Sequence, residues 1–354
     1  MIFLVVPSLI PTGPIKGAIA FANQAIFTND VTLITLKGGA GADAEIDNRV
    51  RVINLESFQG YKEKATELRK ILRNNTSYSS KPRVISYCFS ADLVTYLCRQ
   101  DAVICSSIRS NLFSNYRMDY GFMGVFLALF HFWILRGFNY VTAMTECMAK
   151  QINQYSGRKA VVIGNFIDEA PLVPKLSQQR AEHPVFVFLG SLTKRKKVDV
   201  LLSAFKSVLP EHPQASLHLV GDGNEREKLQ EYVTELGIEQ NVIFYGYQAD
   251  PHRIVATADI MVLPSLSEGM SRAVLESLFI GVPVIMRDVD GNSELMNRGE
   301  NGELFIDDEE LGEKLHELIS KVRKEHSRKC LLPERYRQKK AVNEYLQLLE
   351  LNEI

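Results

Sequence analysis

The stretch ADIMVLPSLSEGMSRAVLESL, residues 258–278, decides the predicted fold. A short apolar run, Ile260–Leu263, leads into a loop of serine and glycine, and a helical pattern starts near Arg272. A strand that passes through a short loop into a helix is the repeating unit of parallel sheets. In such sheets ligands bind beyond the carboxyl ends of the strands, so the loop that follows Leu263 is where chemistry should be sought.

The same alternation of strand and helix occurs along the whole chain. In the first half the predicted strands are Ile2–Val6, Arg83–Tyr87, Ala102–Cys105, Tyr140–Ala143 and Val161–Ile163, with helices at Ile15–Phe27 and Asp92–Arg99. In the second half the predicted strands are Val185–Leu189, Ser216–Val220, Val242–Tyr245, Ile260–Leu263 and Val284–Ile285, with helices at Val198–Val208, Glu225–Leu236, Pro251–Ala256 and Arg272–Phe279. The pattern predicts an α/β fold with two doubly wound, Rossmann-like domains.

The predicted domains are separated by a stretch that is rich in proline. Residues 168–183 show little apolar periodicity, which is typical of a linker. We therefore expect an N-terminal domain at 1–170, a linker at 171–184 and a C-terminal domain at 185–331. A final helical segment occupies 332–354.

The composition is that of an ordinary globular protein. Of 354 residues, 46% are hydrophobic and 23% are charged, and the formal net charge is −1. These values exclude a disordered or collagen-like chain, and they argue against a nucleic-acid binder held by phosphate neutralisation. The charge is unevenly spread, because residues 1–170 carry +5 and the remainder −6. The first half is thus the one suited to an anionic surface.

The cysteines and the N-terminus both indicate a cytoplasmic protein. Five cysteines form no CxxC pair, which favours free buried thiols over a disulfide framework or a zinc site. Met1–Val6 is apolar but lacks a basic segment before it, so it is predicted to be a first strand and not a signal peptide.

Residues 121–135, GFMGVFLALFHFWIL, are strongly apolar. A helix of that length is about 22 Å long, which is short of the roughly 30 Å hydrocarbon core of a bilayer. Two interpretations stay open. The stretch is either a buried core helix, or an interfacial helix whose aromatic side chains and flanking arginines, Arg109, Arg117 and Arg136, would suit the inner face of the plasma membrane.

The loop after Leu263 has the features of an anion site. The backbone N–H groups of Gly269, Met270, Ser271 and Arg272 lie at the start of a helix, where the helix dipole attracts negative charge. Glu268 precedes this turn and Glu276 follows it. Taken alone, the two glutamates are equally consistent with capping or a solvated face. Beside an anion site, they are suited to accept hydrogen bonds from the hydroxyls of a phosphorylated sugar.

Other strand-to-helix loops carry weaker signals. After Val185–Leu189 come Gly190, Ser191 and the four cations of residues 194–197, which suit either a solvated surface or a diphosphate. Gly221 and Gly223 form a Gly-x-Gly turn, a weak dinucleotide signal without a third glycine. Near the N-terminus, Gly13 permits close approach of the backbone to a ligand.

The second half contains five segments in a recognisable order: FLGSLTKRKKVDVLL, LHLVGDGNEREKL, VIFYGY, ADIMVLPSLSEGMSRAVLESL and GVPVIMRDVDGNSEL, between Phe188 and Leu295. Together they resemble the retaining glycosyltransferases of family 4, which have the GT-B fold with two domains facing a central cleft. The first half is similar more loosely, through the Gly13 loop and the segment VVIGNFID at 161–168. The pattern Tyr336–Leu349 resembles the last helix of the family, which crosses back to the first domain.

The resemblance implies a nucleotide-sugar donor, UDP- or GDP-linked, with no cofactor and no required metal. The implied catalytic residues are Glu268, which would bond the hydroxyls of the donor sugar, and Lys196 with Arg195, which would bind the diphosphate. Arg195 takes part of this role because Ser191 stands where the family often has arginine. A first-domain histidine of the family has no counterpart in Cys105–Asn111. The implied donor-binding residues are Gly13, Gly190, Ser191, Gly221, Gly223, Tyr247, Gly269, Met270, Ser271, Arg272 and Glu276, of which Glu276 would bond the ribose.

The implied function is transfer of a hexose-type sugar to a glycan or a lipid-linked oligosaccharide, with retention of configuration, in lipopolysaccharide or capsule biosynthesis. An anionic membrane surface is an additional partner, and nucleic acid is not one. Two alternatives stay open. One alternative is a nucleotide-sugar 2-epimerase, a class of enzyme that shares this architecture. The other is a non-catalytic partner subunit of an active transferase.

Overall fold

Two all-parallel sheets organise the chain in two compact units. The computed structural model describes residues 1–39, 41–42, 45–75, 81–175, 181–297, 299–323 and 328–350. Unit 1 is Met1–Asp168 with the described residues from Glu334 onward, and unit 2 is Glu169–Pro333. The predicted fold class, two doubly wound α/β units, is confirmed.

The sheet of unit 1 has seven parallel strands in the order β3-β2-β1-β4-β5-β6-β7. The strands are β1 Ile2–Val6, β2 Val31–Thr35, β3 Arg51–Asn54, β4 Arg83–Tyr87, β5 Val103–Ile108, β6 Tyr140–Ala143 and β7 Val161–Val162. The helices are α1 Gly13–Ala25, α2 Gly60–Asn74, α3 Phe89–Leu97, α4 Leu112–Tyr120, α5 Met123–Leu135 and α6 Glu146–Ser156. All five residues of β1 are buried, as expected for a central strand covered by helices on both faces.

The sheet of unit 2 has six parallel strands in the order β10-β9-β8-β11-β12-β13. The strands are β8 Val185–Leu189, β9 Ser216–Val220, β10 Val242–Gly246, β11 Ile260–Leu263, β12 Val284–Arg287 and β13 Gly302–Phe305. The helices are α7 Val198–Val208, α8 Arg226–Leu236, α9 His252–Val255, α10 Arg272–Ile280 and α11 Glu310–Val322. The strand order reverses between β8 and β11, which pair directly through Ile260 beside Phe186.

The last helix, α12 at Gln338–Glu350, belongs to the core of unit 1. The ring of Tyr345 packs edge-on against Phe21 of α1, with 5.6 Å between the centroids. The phenol oxygen of Tyr345 lies 2.8 Å from Ser107 Oγ and 3.0 Å from Thr142 Oγ1, below the sheet. These contacts fix α12 to the strands β5 and β6.

The predicted strands all form, with ends that differ by up to three residues. Three further strands, β2, β3 and β13, were not predicted. Within the predicted linker, residues 170–175 form a 3₁₀ turn that contacts α9 and α10, whereas residues 176–180 lie outside the described part. Residues 351–354 of the predicted final segment lie outside it as well.

Residues 121–135 form a helical hairpin with the preceding helix and are not a wholly buried core helix. One face of α5 is buried, including Ala128 and Phe132, and the other is exposed, including Phe126 and Trp133. No described helix is both long and apolar enough to cross a bilayer.

The five cysteines are free thiols, but only Cys98 and Cys105 are fully buried. Cys147 is exposed, which corrects the expectation that most of them are buried. Its position at the start of α6, on the solvent side of the helix, accounts for the difference.

Candidate functional site

The candidate site lies at the point where the strand order of unit 2 reverses. The loop after β8 carries Arg195 and Lys196, and the loop after β11 carries Glu268. Because β8 and β11 are neighbours and parallel, their carboxyl ends open at the same edge of the sheet. The helices that follow them leave on opposite faces in a doubly wound sheet, which creates a crevice between the two loops.

The centre of the site is a buried ion pair between these loops. Lys196 Nζ lies 2.5 Å from Glu268 Oε1, and each side chain is only 9% exposed. A cation buried this deeply requires a nearby negative charge, because its desolvation otherwise outweighs any packing gain. The pairing therefore holds both side chains at fixed positions beside the first turn of α10.

Arg195 links the same two loops. Its Nη1 donates to the carbonyl of Ser267 and lies 3.3 Å from Glu268 Oε1. In return, the carbonyl of Arg195 accepts a 2.9 Å bond from the N–H of Leu266. Two cations consequently converge on one carboxylate oxygen.

Asp290 holds the Glu268 loop from the other side. Its Oδ2 accepts a 2.5 Å bond from Ser267 Oγ and a 3.1 Å bond from the N–H of Glu268. Both Asp290 and Lys197 have φ near +50°, a left-handed conformation that is unfavourable for residues other than glycine. Such strain is tolerated where the surroundings fix the backbone. It occurs here at the residue that follows Lys196 and at the residue that accepts a bond from the Glu268 N–H.

Two of the predicted glycines of this edge, Gly221 and Gly223, are required by loop packing. A Cβ on Gly221, which has φ of +130°, would overlap the carbonyl oxygen of Gly190, and one on Gly223 would overlap that of Leu192. A Cβ on Gly190 would lie 3.6 Å from Lys196 Cε. The loop after β9 is thus pressed against the loop after β8, which carries Lys196.

A second group of charged side chains lies on α10, one turn along. Glu276 Oε2 is 3.1 Å from His252 Nε2, and Glu276 Oε1 is 3.6 Å from an Arg272 nitrogen, Nη2. His252 Nδ1 in turn lies 3.5 Å from Asp250 Oδ1. Glu276 is 14% exposed, so a ligand hydroxyl can still reach it.

The N-terminus of α10 completes this arrangement. Ser271 is the N-cap residue, with extended backbone, and makes no side-chain capping bond. Gly269 and Met270 form the preceding turn, and the Met270 side chain is buried. The first-turn N–H groups of an α-helix have no acceptor within the helix, and they carry the positive end of its dipole. Glu268 precedes this turn directly, so the ion pair and the helix end share one location.

Three of the predicted residues take no part in the contacts described above. Ser191 is exposed in the loop after β8. Tyr247 follows β10, two strands away from β8, and is 77% exposed. Gly13 is the first residue of α1 in unit 1, where an added Cβ would meet no atom within 4 Å.

Sequence reasoning missed two residues of the site, His252 and Asp290. The available signal for His252 was its position. It begins a short helix directly after the β10 loop, at the ligand-binding edge of the sheet. Asp290 carried no signal, because its role comes from a backbone conformation and from contacts 22 and 23 residues away.

Within the described residues, no three His, Cys, Asp or Glu side chains group together as a metal site would require. The predicted first-domain neighbourhood contains Ser106 and Ser107, both buried, and a half-buried Arg109. The Arg109 guanidinium donates to Asn165.

Known proteins similar to this chain are glycosyltransferases. Residues 174–340 match the model of the family described as Glycosyl transferases group 1. The chain is 31% identical over 172 residues to the lipopolysaccharide core biosynthesis glycosyltransferase LpsE of Rhizobium meliloti, a match that covers 47% of this chain and 49% of LpsE. It is 35% identical over 134 residues to the lipopolysaccharide 1,6-galactosyltransferase of Salmonella typhimurium, covering 36% of each chain. The chain thus spans half or less of the length of these curated relatives.

Among solved structures, the Anabaena protein HepE in complex with UDP has a TM-score of 0.77 to this chain. The identity is 18%, over 99% of both chains, so this likeness shows the fold. HepE has also been crystallised with UDP-glucose. By these matches, residues 174–340 are similar to the glycosyl transferases group 1 family, and the chain as a whole has the GT-B fold of two Rossmann-like units.

Proposed function

We propose that the protein is a cytoplasmic retaining glycosyltransferase that moves a hexose-type sugar from a nucleotide sugar to a hydroxyl of a glycan or lipid-linked oligosaccharide. The observation that carries this proposal is the buried Lys196–Glu268 pair beside the N-terminus of α10. It supplies a cation for a diphosphate and a carboxylate for sugar hydroxyls within one side-chain length of each other.

The chemistry assigns a task to each side chain. The bond between the anomeric carbon and the diphosphate oxygen breaks, and negative charge develops on the departing diphosphate. Lys196, Arg195 and the first-turn N–H groups of α10 stabilise that charge, which is the type of contribution that lowers such barriers most. These groups are fixed by the contacts of the two loops, so little reorganisation is needed when the charge appears.

The acceptor oxygen forms the new bond on the face that the leaving group vacates. Its proton passes to the oxygen of the departing diphosphate, so no enzyme base and no covalent intermediate are needed, and the configuration of the anomeric carbon is retained. Glu268 holds the hydroxyls of the donor sugar, and Glu276 holds the ribose of the nucleotide. With two cations at the leaving group, we expect turnover without an added divalent ion.

The biological setting follows from the relatives. LpsE and the Salmonella enzyme are named for lipopolysaccharide, which favours a surface-polysaccharide acceptor here. A UDP-linked donor is favoured by the solved structure of HepE. HepE, the solved structure of the same fold, binds UDP-glucose.

The test is nucleotide release from a panel of UDP- and GDP-sugars, with and without a mixture of lipid-linked oligosaccharide acceptors. We expect one donor to give acceptor-dependent release, unaffected by EDTA, and a product with the anomeric configuration of the donor by NMR. An epimerised sugar nucleotide would instead identify the 2-epimerase. Absence of turnover and of donor binding across the panel would identify a non-catalytic subunit.

A further inference from the structure

The helical hairpin of α4 and α5 exposes an apolar surface that no other described element covers. Phe122 is 76% exposed, Met123 67%, Phe126 55% and Trp133 53%. These four side chains lie on one side of α5 and on the turn that enters it. We call this surface the α5 face. Contiguous exposed aromatic surface of this kind marks an interaction site, since single exposed apolar residues are common but stripes are not.

The orientation of the α5 face is fixed by polar contacts on the opposite side of the helix. His131 is buried there, with Nε2 at 2.8 Å from Asp92 Oδ2 of α3 and Nδ1 at 2.8 Å from Tyr116 Oη of α4. Asp92 also accepts a 2.6 Å bond from Ser86 Oγ of β4. Rotating α5 to bury its aromatic face would break this chain of buried bonds. The exposure of the face is therefore a property of the fold.

Cations cluster at the carboxyl end of the α5 face. The guanidinium of Arg99 stacks on Tyr96, 4.4 Å from the ring centroid, and Tyr96 packs against Trp133 with 5.9 Å between the centroids. Arg158 donates 2.9 Å and 2.6 Å bonds to the carbonyl of Arg136, which ends α5. Among the described residues, none of these three arginines forms an ion pair with a carboxylate. Positive charge that no described carboxylate neutralises thus borders the exposed aromatic rings.

We propose that the α5 face docks the protein on an anionic phospholipid bilayer, with α5 lying in the plane of the interface. An anionic bilayer offers both things that this surface lacks, an apolar layer for the aromatic rings and negative headgroups for the arginines. Aromatic side chains favour the boundary between headgroup and acyl chain, where Trp133 would sit beside Tyr96 and Arg99. The proposal depends on the α4–α5 hairpin and not on the proposed glycosyl transfer.

A second copy of this chain is the less favourable occupant. Two α5 faces packed together would bring the exposed arginines of both copies into one interface, with Asp119 as the acidic residue of the hairpin sequence Leu112–Leu135. Like charges in such an interface are destabilising, whereas anionic headgroups attract them.

Trp133 provides a direct test, because it is the only tryptophan of the chain. Its emission should shift to the blue when full-length protein is mixed with vesicles of phosphatidylcholine containing about 30% phosphatidylglycerol. Lipids brominated near the headgroup should quench it. Vesicles of phosphatidylcholine alone should produce a much smaller shift, and raising the salt to about 0.5 M should reverse most of the binding.

Variants separate the apolar from the ionic contribution in a vesicle flotation assay. The double variant Phe122→Glu/Phe126→Glu should lower the bound fraction about tenfold or more, since it removes apolar rings and adds charge of the wrong sign. The double variant Arg99→Gln/Arg136→Gln should lower the bound fraction about fivefold for each arginine replaced. Phe27→Glu is the matched control, because Phe27 is 66% exposed at the end of α1, outside the α5 face. It should bind like the wild type.

Two outcomes would overturn the proposal. The first is an unchanged Trp133 spectrum and no flotation with anionic vesicles at low salt, for a wild-type protein whose thermal transition shows that it is folded. The second is a dimer in analytical ultracentrifugation that Phe122→Glu/Phe126→Glu dissociates, without vesicle binding by the wild type, which would make the face a contact between copies.

Discussion

Lys196 is the residue on which the account depends most. It is the one cation of the run 194–197 that is buried, and its Nζ is held 2.5 Å from Glu268. Replacing it with alanine should lower turnover by about 10²-fold or more, because the charge on the leaving diphosphate loses its closest buried cation. Lys194→Ala should be close to the wild type, since Lys194 is exposed in the same turn. Nucleotide release under steady-state conditions measures both.

Lys196→Ala also leaves Glu268 buried with only Arg195 nearby. Removing one partner of a buried ion pair costs about 3 kcal/mol of folding stability, so the melting temperature must be measured beside the activity. The double variant Lys196→Met/Glu268→Gln should recover most of that stability because no buried charge remains unpaired. A double variant with normal stability and normal turnover would remove the pair from the mechanism.

His252 should affect donor binding more than chemistry. It contacts Glu276, the proposed ribose ligand, from the start of α9. His252→Ala should raise KM for the donor about five- to tenfold and leave kcat within about twofold, because the interaction is the same in the ground and transition states. Arg253→Ala, at the next and highly exposed position, is the control. A loss in kcat with unchanged KM would contradict the assignment.

Part of the candidate site could be predicted from one short sequence motif and a neighbouring loop. Glu268, Glu276 and Lys196 were predicted together, and the structure places Lys196 and Glu268 in contact. The link from His252 to Glu276 could not be predicted, since it joins residues 24 apart through the fold. The role of Gly221 and Gly223 in packing two loops together was likewise invisible, because it depends on which strands are neighbours.

Among the elements, the turn from β1 into α1 offers a test that separates stability from function. Gly13 is the first residue of α1 and has no positive φ, and an added Cβ would meet no protein atom within 4 Å. Gly13→Ala should therefore keep or slightly raise the melting temperature, because alanine has the higher helix propensity. If a ligand approaches the backbone there, as the sequence predicts, turnover should fall about tenfold or more. Unchanged turnover in a stable variant would show that no ligand contacts this turn.

Lack of burial explains only one of the three strands that were not predicted, β3. β3, Arg51–Asn54, is an edge strand whose residues are mostly exposed, so it has neither an apolar run nor a clear alternation. β2, Val31–Thr35, is fully buried and rich in β-branched residues, and it was within reach of the pattern used. For α5 the composition predicted a helix, but only the tertiary contacts of His131 decide which face is outside.

At the scale of the molecule, the two units should respond differently to alkaline pH. Burial raises the pKa of the Cys88 and Cys98 thiols to about 12, and it raises the pKa of the phenols of Tyr87 and Tyr345 above the usual 10.0. All four groups lie in unit 1. Unfolding lets them ionise, so the unfolded state binds fewer protons than the folded state once the pH exceeds the ordinary pKa values.

Stability contributed by these neutral groups is fully present below about pH 9 and falls as pH rises toward 12, by about 1.4 kcal/mol per pH unit for each ionising group. We expect unit 1 to unfold first, so that Trp133 emission changes at lower pH than the far-UV ellipticity of the whole chain. Tyr345→Phe should make the dependence shallower above pH 10, although it loses the bonds to Ser107 and Thr142. Coincident transitions of the two signals would contradict this order.

A crystal structure with the nucleotide diphosphate, UDP or GDP, that stabilises the protein most would show whether the Lys196–Glu268 pair and the first turn of α10 bind a diphosphate. We expect the outer phosphate to lie about 3 Å from Lys196 Nζ and from a first-turn N–H of α10, as charge-assisted hydrogen bonds require. A diphosphate bound at full occupancy elsewhere, with Lys196 and Glu268 still paired and out of its reach, would contradict it.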